Sequence, residues 1–300
     1  MRLTRSLALL LVAVLLLAAL PTQPASASSQ PASNHTTSNF QTLGKCANVD
    51  FLTAVGKDLV DFGTAMKGLD VKDPAGAATL LLQTAVLRQK YEDMDADPNC
   101  IVAQVAMIAG IANYSDVIGL VLAIKADPNN AKLYADAITP QVQRAGKILV
   151  LVQQDIAGQG NATAEASEPL TSGQCTDTDF RQTVGKDLVD FGAALKALDS
   201  KDTAAVAKMF LSISVLRQKY EDLSSTPRTC FIARLATIIA YANYGDLISL
   251  ILASKADPLN EKVYTDALQP QVDRAQKFLK VIQSEMGMDT AATPEATAAQ

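Results

Sequence analysis

The sequence predicts an all-α protein: two tandem, disulfide-stapled, up-down four-helix bundles related by internal duplication. Three observations predict it. Apolar residues recur at helical spacing with no strand-like alternation, the chain aligns with itself over more than 100 residues, and its four cysteines fall at equivalent places in the two copies.

The first segment is read as an export signal. Arg2 and Arg5 precede an apolar run of Leu, Ala and Val, and Ala25-Ser26-Ala27 offers the small-x-small pattern of a cleavage site, so residues 1–27 are assigned as a signal peptide cut near Ala27. A Sec-type signal predicts a secreted or periplasmic protein. Residues 28–45 follow as a low-complexity leader expected to be disordered.

The duplication organises the rest. Cys46 aligns with Cys175 at an offset of 129, and after one inserted residue Cys100 aligns with Cys230 at an offset of 130. VGKDLVDFG recurs at Val55 and Val184, VLRQKYED at Val86 and Val215, ANY at Ala112 and Ala242, and KADP at Lys125 and Lys255. The expected units are residues 46–156 and 175–285, folding independently on either side of a Gly/Ala/Ser/Thr-rich linker at 157–174, with a disordered tail at 286–300. One cysteine pair per unit favours Cys46–Cys100 and Cys175–Cys230, each closing a loop worth about 4 kcal/mol in the chain-entropy model.

Within the first unit, Leu52, Val55, Leu59, Phe62, Met66 and Leu69 step by three and four, as one helix face requires. Asp73-Pro74, Asp97-Pro98 and Asp127-Pro128 each supply a capping carboxylate followed by a proline suited to a first helical turn. The four helices are therefore expected near Asn48–Asp70, Pro74–Met94, Pro98–Ile124 and Pro128–Gln154. Short connections make neighbours antiparallel, which brings Cys46 and Cys100 to the same pole. Pro140 and Pro270 fall inside the fourth helices and should kink or interrupt them.

Charge and composition narrow the function. Removing the signal takes two bases and no acid, so the net charge of −5 becomes −7; an acidic chain without basic clusters argues against nucleic acid as a partner. The most apolar stretch, Ile101 to Ile124, carries Gln104, Asn113 and Asp116, so it is read as a buried helix, and no membrane span is assigned to the mature chain. The one histidine, His35, lies in the leader, which leaves no Ser-His-Asp triad and no histidine-bearing metal site. No phosphate loop, Cys-x-x-Cys or EF-hand spacing is present, so no cofactor and no metal are expected, and the chain is read as a non-enzyme.

The most site-like residues are Asn113, Tyr114 and Asp116, with Asn243, Tyr244 and Asp246 in the second unit: polar groups in the middle of the most apolar helix, where a carboxylate needs a partner. Level-counting from the poles names Lys132 and Lys262 as those partners, or a hydrogen bond from Tyr134 and Tyr264. The face around Asp116 bears Ala109, Ala112, Gly119 and Ala123, so something bulky is expected to pack on it. Gly56, Gly63, Gly185 and Gly192 mark close helix packing on the first helices, and Asp58 is set opposite Arg88 as a salt bridge. Asn113-Tyr114-Ser115 also matches a glycosylation sequon, but a buried helix excludes it as an acceptor. The expected function is a non-catalytic interaction module binding an extracellular or periplasmic protein; the alternative is a carrier of a small apolar or amphipathic ligand within each bundle.

Overall fold

The computed structural model describes residues 46, 48–70, 72–94, 100–156, 175–222 and 228–287. The expected signal peptide, leader and linker, Asp97-Pro98, and the tail beyond Gly287 lie outside these residues. Among the described residues the fold is all-helical.

In chain order the first half contains α1 (Val49–Lys67), α2 (Pro74–Glu92), α3 (Ile101–Ala126) and α4 (Ala131–Ile156). The second half contains α5 (Thr178–Lys196), α6 (Thr203–Glu221), α7 (Phe231–Ala256), α8 (Glu261–Asp266) and α9 (Leu268–Glu285). Of the caps expected before prolines, Asp73 forms, whereas Asp127 makes no side-chain cap: Pro128–Asn130 is a 3-10 turn ahead of α4, and the Asp127 carboxylate takes the Asn130 amide and the Tyr134 hydroxyl instead. Asn48 accepts from the Phe51 N–H at 3.0 Å, Asp73 from Gly76 N–H at 2.9 Å and Asp177 from Phe180 N–H at 2.7 Å, each satisfying a donor with no intrahelical partner. Disulfides join Cys46 to Cys100 and Cys175 to Cys230, tying the start of α1 to the start of α3 and the start of α5 to that of α7.

The two internal prolines resolve differently. α4 runs unbroken through Pro140. In the second half the helix breaks at Ala267, three residues before Pro270, where the Ala267 N–H turns to the Tyr264 carbonyl at 3.2 Å. The missing proline donor is common to both, so the expected interruption occurs in one copy only.

Amphipathicity sorts the helices into layers. α1, α4 and α9 carry one apolar stripe and lie outside, whereas α3 and α7 are apolar all round and are buried along nearly their whole length. Both are long and apolar enough to cross a membrane, with 94% and 89% of their most apolar stretch enclosed by protein. They pack along each other at the centre; α2 and α6 each touch both, α4 covers α3, and α9 covers α7.

Direction follows from the contacts. From Arg88 to Glu92, α2 meets first Asp246 and then Asn243, so it runs antiparallel to α7. It is also antiparallel to α3, because Gln104 in the first turns of α3 donates to the Tyr91 carbonyl near the end of α2 at 2.5 Å. Hence α3 and α7 are parallel, both disulfides lie at one end of the molecule, and an approximate twofold axis runs between the central helices.

One cluster of buried residues spans both halves, with Leu81, Ile118 and Tyr134 of the first and Phe210, Ile213 and Ile248 of the second, and another at the disulfide end joins Cys46, Phe51, Tyr91, Cys100 and Met107 to Ile239 of the second half. The two halves thus pack against each other through these shared clusters. A helix apolar on every side cannot be covered by three neighbours of its own half, and the other half completes its coat.

Candidate functional site

At the centre of the molecule the two halves exchange charges. Arg217 on α6 donates through Nη2 to Asp116 Oδ2 on α3 at 2.8 Å, and Arg88 on α2 donates through Nη2 to Asp246 Oδ2 on α7 at 2.6 Å. The arginines are 1% and 0% exposed and the aspartates 3% and 2%. Lys132 and Lys262, the partners expected from the sequence, instead pair with Asp136 and Asp266 one helical turn away on the surface. The hydroxyls of Tyr134 and Tyr264 also turn elsewhere, donating to Asp127 and Asp257 at 2.9 Å. Level-counting within a single bundle fails because the nearest cation comes from the other half.

Each pair sits in a larger network. Arg217 Nε lies 3.1 Å from Glu221 Oε1, and Arg88 Nη1 pairs with Glu92. Asn113 donates to Glu221 at 3.1 Å and Asn243 to Glu92 at 3.2 Å, again across the halves. The fourth helices close the edges: Arg144 on α4 pairs with Asp222, and Arg274 on α9 donates to Asp93 Oδ1 at 2.7 Å. Asp116 further accepts from Ser214 at 2.7 Å and Gln141 at 3.1 Å.

Burial sets the electrostatics. It pushes the Asp116 carboxyl up to about 6, against the opposing pull of Arg217 and the Ser214 hydroxyl, and it also raises Glu92 and Glu221 despite their arginines. The buried carboxylates face fixed guanidinium groups, and the networks meet water only at their Arg144–Asp222 and Arg274–Asp93 ends. Among the described residues no three His, Cys, Asp or Glu side chains gather to hold a metal ion.

The six residues singled out from the sequence therefore part company. Asn113, Asp116, Asn243 and Asp246 converge on the cross-half networks. Tyr114 and Tyr244 point the other way, edge-on to Phe62 of α1 at 5.3 Å and to Phe191 of α5 at 4.9 Å, and burial raises both phenols.

No family model, curated protein or solved structure matches the chain.

The sequence reading missed Arg88, Arg217, Glu92, Glu221, Gln141 and Gln271 as members of these networks. It set Arg88 against Asp58, but Asp58 takes Lys90 at 2.5 Å and the Tyr91 hydroxyl at 2.7 Å. A signal was present: Leu81, Ala85, Arg88 and Tyr91 step by three and four, which places Arg88 on the buried face of α2.

Two expectations about small residues divide likewise. The bulky neighbour required by the Gly119 face is Phe210 of the second half. Gly56, expected at a close helix contact, has nothing among the described residues within 4 Å of where a Cβ would stand. It lies on an open face of α1 with Val49, Leu52, Thr53 and Val60.

Proposed function

We propose that this chain is an exported, non-catalytic interaction module, built by duplication of one helical unit, that presents the same docking features twice to a protein partner outside the cytoplasm. The observation that carries this reading is a repeated set of exposed apolar side chains: Val60 and Val189 are 68% and 71% exposed, Val86 and Val215 58% and 55%, and Leu133 and Val263 50% and 49%. In each couple the two residues are sequence equivalents, so both halves offer these apolar points alike, while Val49 and Leu259, also exposed, have the polar equivalents Thr178 and Asn129. Two sites on one body raise the effective concentration of the second contact once the first is made.

The disulfides fit an oxidising compartment and support export. The absence of catalysis is supported by the chemistry at the centre, where every acid named above already has a cationic or amide partner. The carrier reading loses its best anchor for the same reason: Asp116 and Asp246 are committed to Arg217 and Arg88.

Native mass spectrometry of the protein purified from its source tests the proposal. The expected result is a protein partner that is lost from a Val60→Lys/Val189→Lys variant of unchanged thermal stability. A retained small molecule, with no protein partner, would replace the interaction reading with the carrier.

A further inference from the structure

The charged contacts between the halves obey the approximate twofold, but the packing beside them does not. Gly119 on α3 lies against the Phe210 ring of α6 so closely that a Cβ at position 119 would stand 2.3 Å from Phe210 Cζ and 2.7 Å from Cε1. At the sequence-equivalent positions on the other side stand Ser249 on α7 and Leu81 on α2. The first half thus offers a hole, Gly119, and a short knob, Leu81. The second half offers a filled hole, Ser249, and a long knob, Phe210.

Three pairings follow from this geometry. First with second, as found, seats Phe210 over Gly119. Second with second would set Phe210 over Ser249, whose Cβ would occupy the space the ring already fills. Phe210 is buried in the shared core, so its ring has nowhere to swing. First with first would set Leu81 over Gly119 and leave a void the size of the missing ring atoms. The ionic contacts would not tell these pairings apart, because Arg88 and Arg217, and Asp116 and Asp246, are equivalent and each arginine would find an aspartate in any of them. Discrimination falls to the packing, led by the knob and the hole, with the Ser214 hydroxyl, which has only Ala85 as its equivalent, adding a contact to Asp116.

We propose that the α2–α3 face of the first half and the α6–α7 face of the second are a partner-selective docking pair. Each half recognises the other as a distinct protein, holds it without the covalent link, and refuses a second copy of itself through Gly119 and Phe210. The partner for the first half is a helical unit bearing a long aromatic knob beside an arginine; the partner for the second is one with a glycine hole beside an aspartate. This selection does not depend on what the outer faces bind.

The test uses the full chain with a protease site placed within residues 157–174, folded, its disulfides intact, and then cut. Native mass spectrometry should show one first half with one second half. Mixing cut protein with an isotope-labelled cut batch should, at equilibrium, yield hybrid first–second pairs and no like pairs. In cut Phe210→Leu protein, pairs of two second halves should appear, because Leu81 and Ser249 are the residues that stand at the sequence-equivalent positions in the native protein. Gly119→Ser should weaken first–second pairing by about 10- to 100-fold, the usual scale of overpacking, with Gly119→Ser/Phe210→Leu recovering most of it. Halves that part as monomers once cut, or like pairs forming as readily as unlike ones in the wild-type protein, would overturn the proposal.

Discussion

Asp116 and Asp246 stand at equivalent positions and face equivalent arginines, yet their surroundings differ. Asp116 accepts from Arg217, from the Ser214 hydroxyl at 2.7 Å and from the Gln141 amide at 3.1 Å. Around Asp246 the residue equivalent to Ser214 is Ala85, which has no hydroxyl to give. There the fourth-helix glutamine reverses its role: Gln271 accepts from Arg88 at 3.3 Å instead of donating to the aspartate. The amide serves the acid on the side that has the α6 hydroxyl and the base on the side that lacks it. Buried polar networks reorganise as a unit because each member must find a partner.

Removing the base should break both networks most severely. In Arg217→Met, Asp116 and Glu221 lose their shared cation while remaining buried, and an uncompensated buried charge typically costs about 3–5 kcal/mol. Urea denaturation should show that loss in a single transition, since a buried cluster spans both halves. Two separated transitions, with only one of them shifted, would show that the second half folds without the first. Arg88→Met should behave alike through Asp246 and Glu92.

Acidity reads the same centre without a change of shape. The folded Asp116 keeps its proton up to about pH 6, whereas its ordinary value is 3.8, so between the two the folded state binds more protons than the unfolded one. The stability linked to this group is therefore complete below about 3.8 and declines as pH rises through about 6. Glu92 and Glu221, also raised by burial, act in the same direction. The melting temperature should be higher at pH 5 than at pH 7.5, and Asp116→Asn should reduce that difference, leaving the part due to Glu92 and Glu221. A protein that melts lower at pH 5, with Asp116→Asn making no difference, would contradict the account.

Ser214→Ala sharpens the contrast by giving the first cluster the composition of the second. Asp116 would lose one donor but keep Arg217, so the expected cost is about 1 kcal/mol, the net worth of an ordinary hydrogen bond. Gln141 would then be free to turn as Gln271 does. A cost near that of Arg217→Met would mean that the hydroxyl, not the arginine, anchors the site.

Much of this was legible in the sequence because it is local. Asp73 caps where a cap is expected, though Asp127 does not, and the repeat fixes which cysteines are equivalent. The cross-half contacts were not legible, because Asp116 and Arg217 are 101 residues apart and nothing between them counts their levels on neighbouring helices. Yet the sequence carried pressure toward that answer. α3 is too apolar for one bundle to cover, Gly119 calls for a bulky neighbour, and Arg88 repeats on the buried stripe of α2. What it lacked was the identity of the neighbour, which depends on how two helix pairs cross.

The smallest expected effect belongs to the pair the sequence first suggested. Lys132 and Asp136 are one turn apart on α4 with side chains 81% and 64% exposed, so water screens them and their attraction offsets little more than the entropy of holding two long side chains. Lys132→Ala should shift stability by less than about 0.5 kcal/mol, the usual range for surface changes away from caps and networks. The same substitution at a true partner of Asp116 would approach the loss seen for Arg217→Met. The ratio of the two effects, measured in one urea series, therefore assigns the partner of Asp116 without a further structure. A Lys132→Ala loss above about 2 kcal/mol would return Asp116 to its own half, since no surface i,i+4 pair is worth that much.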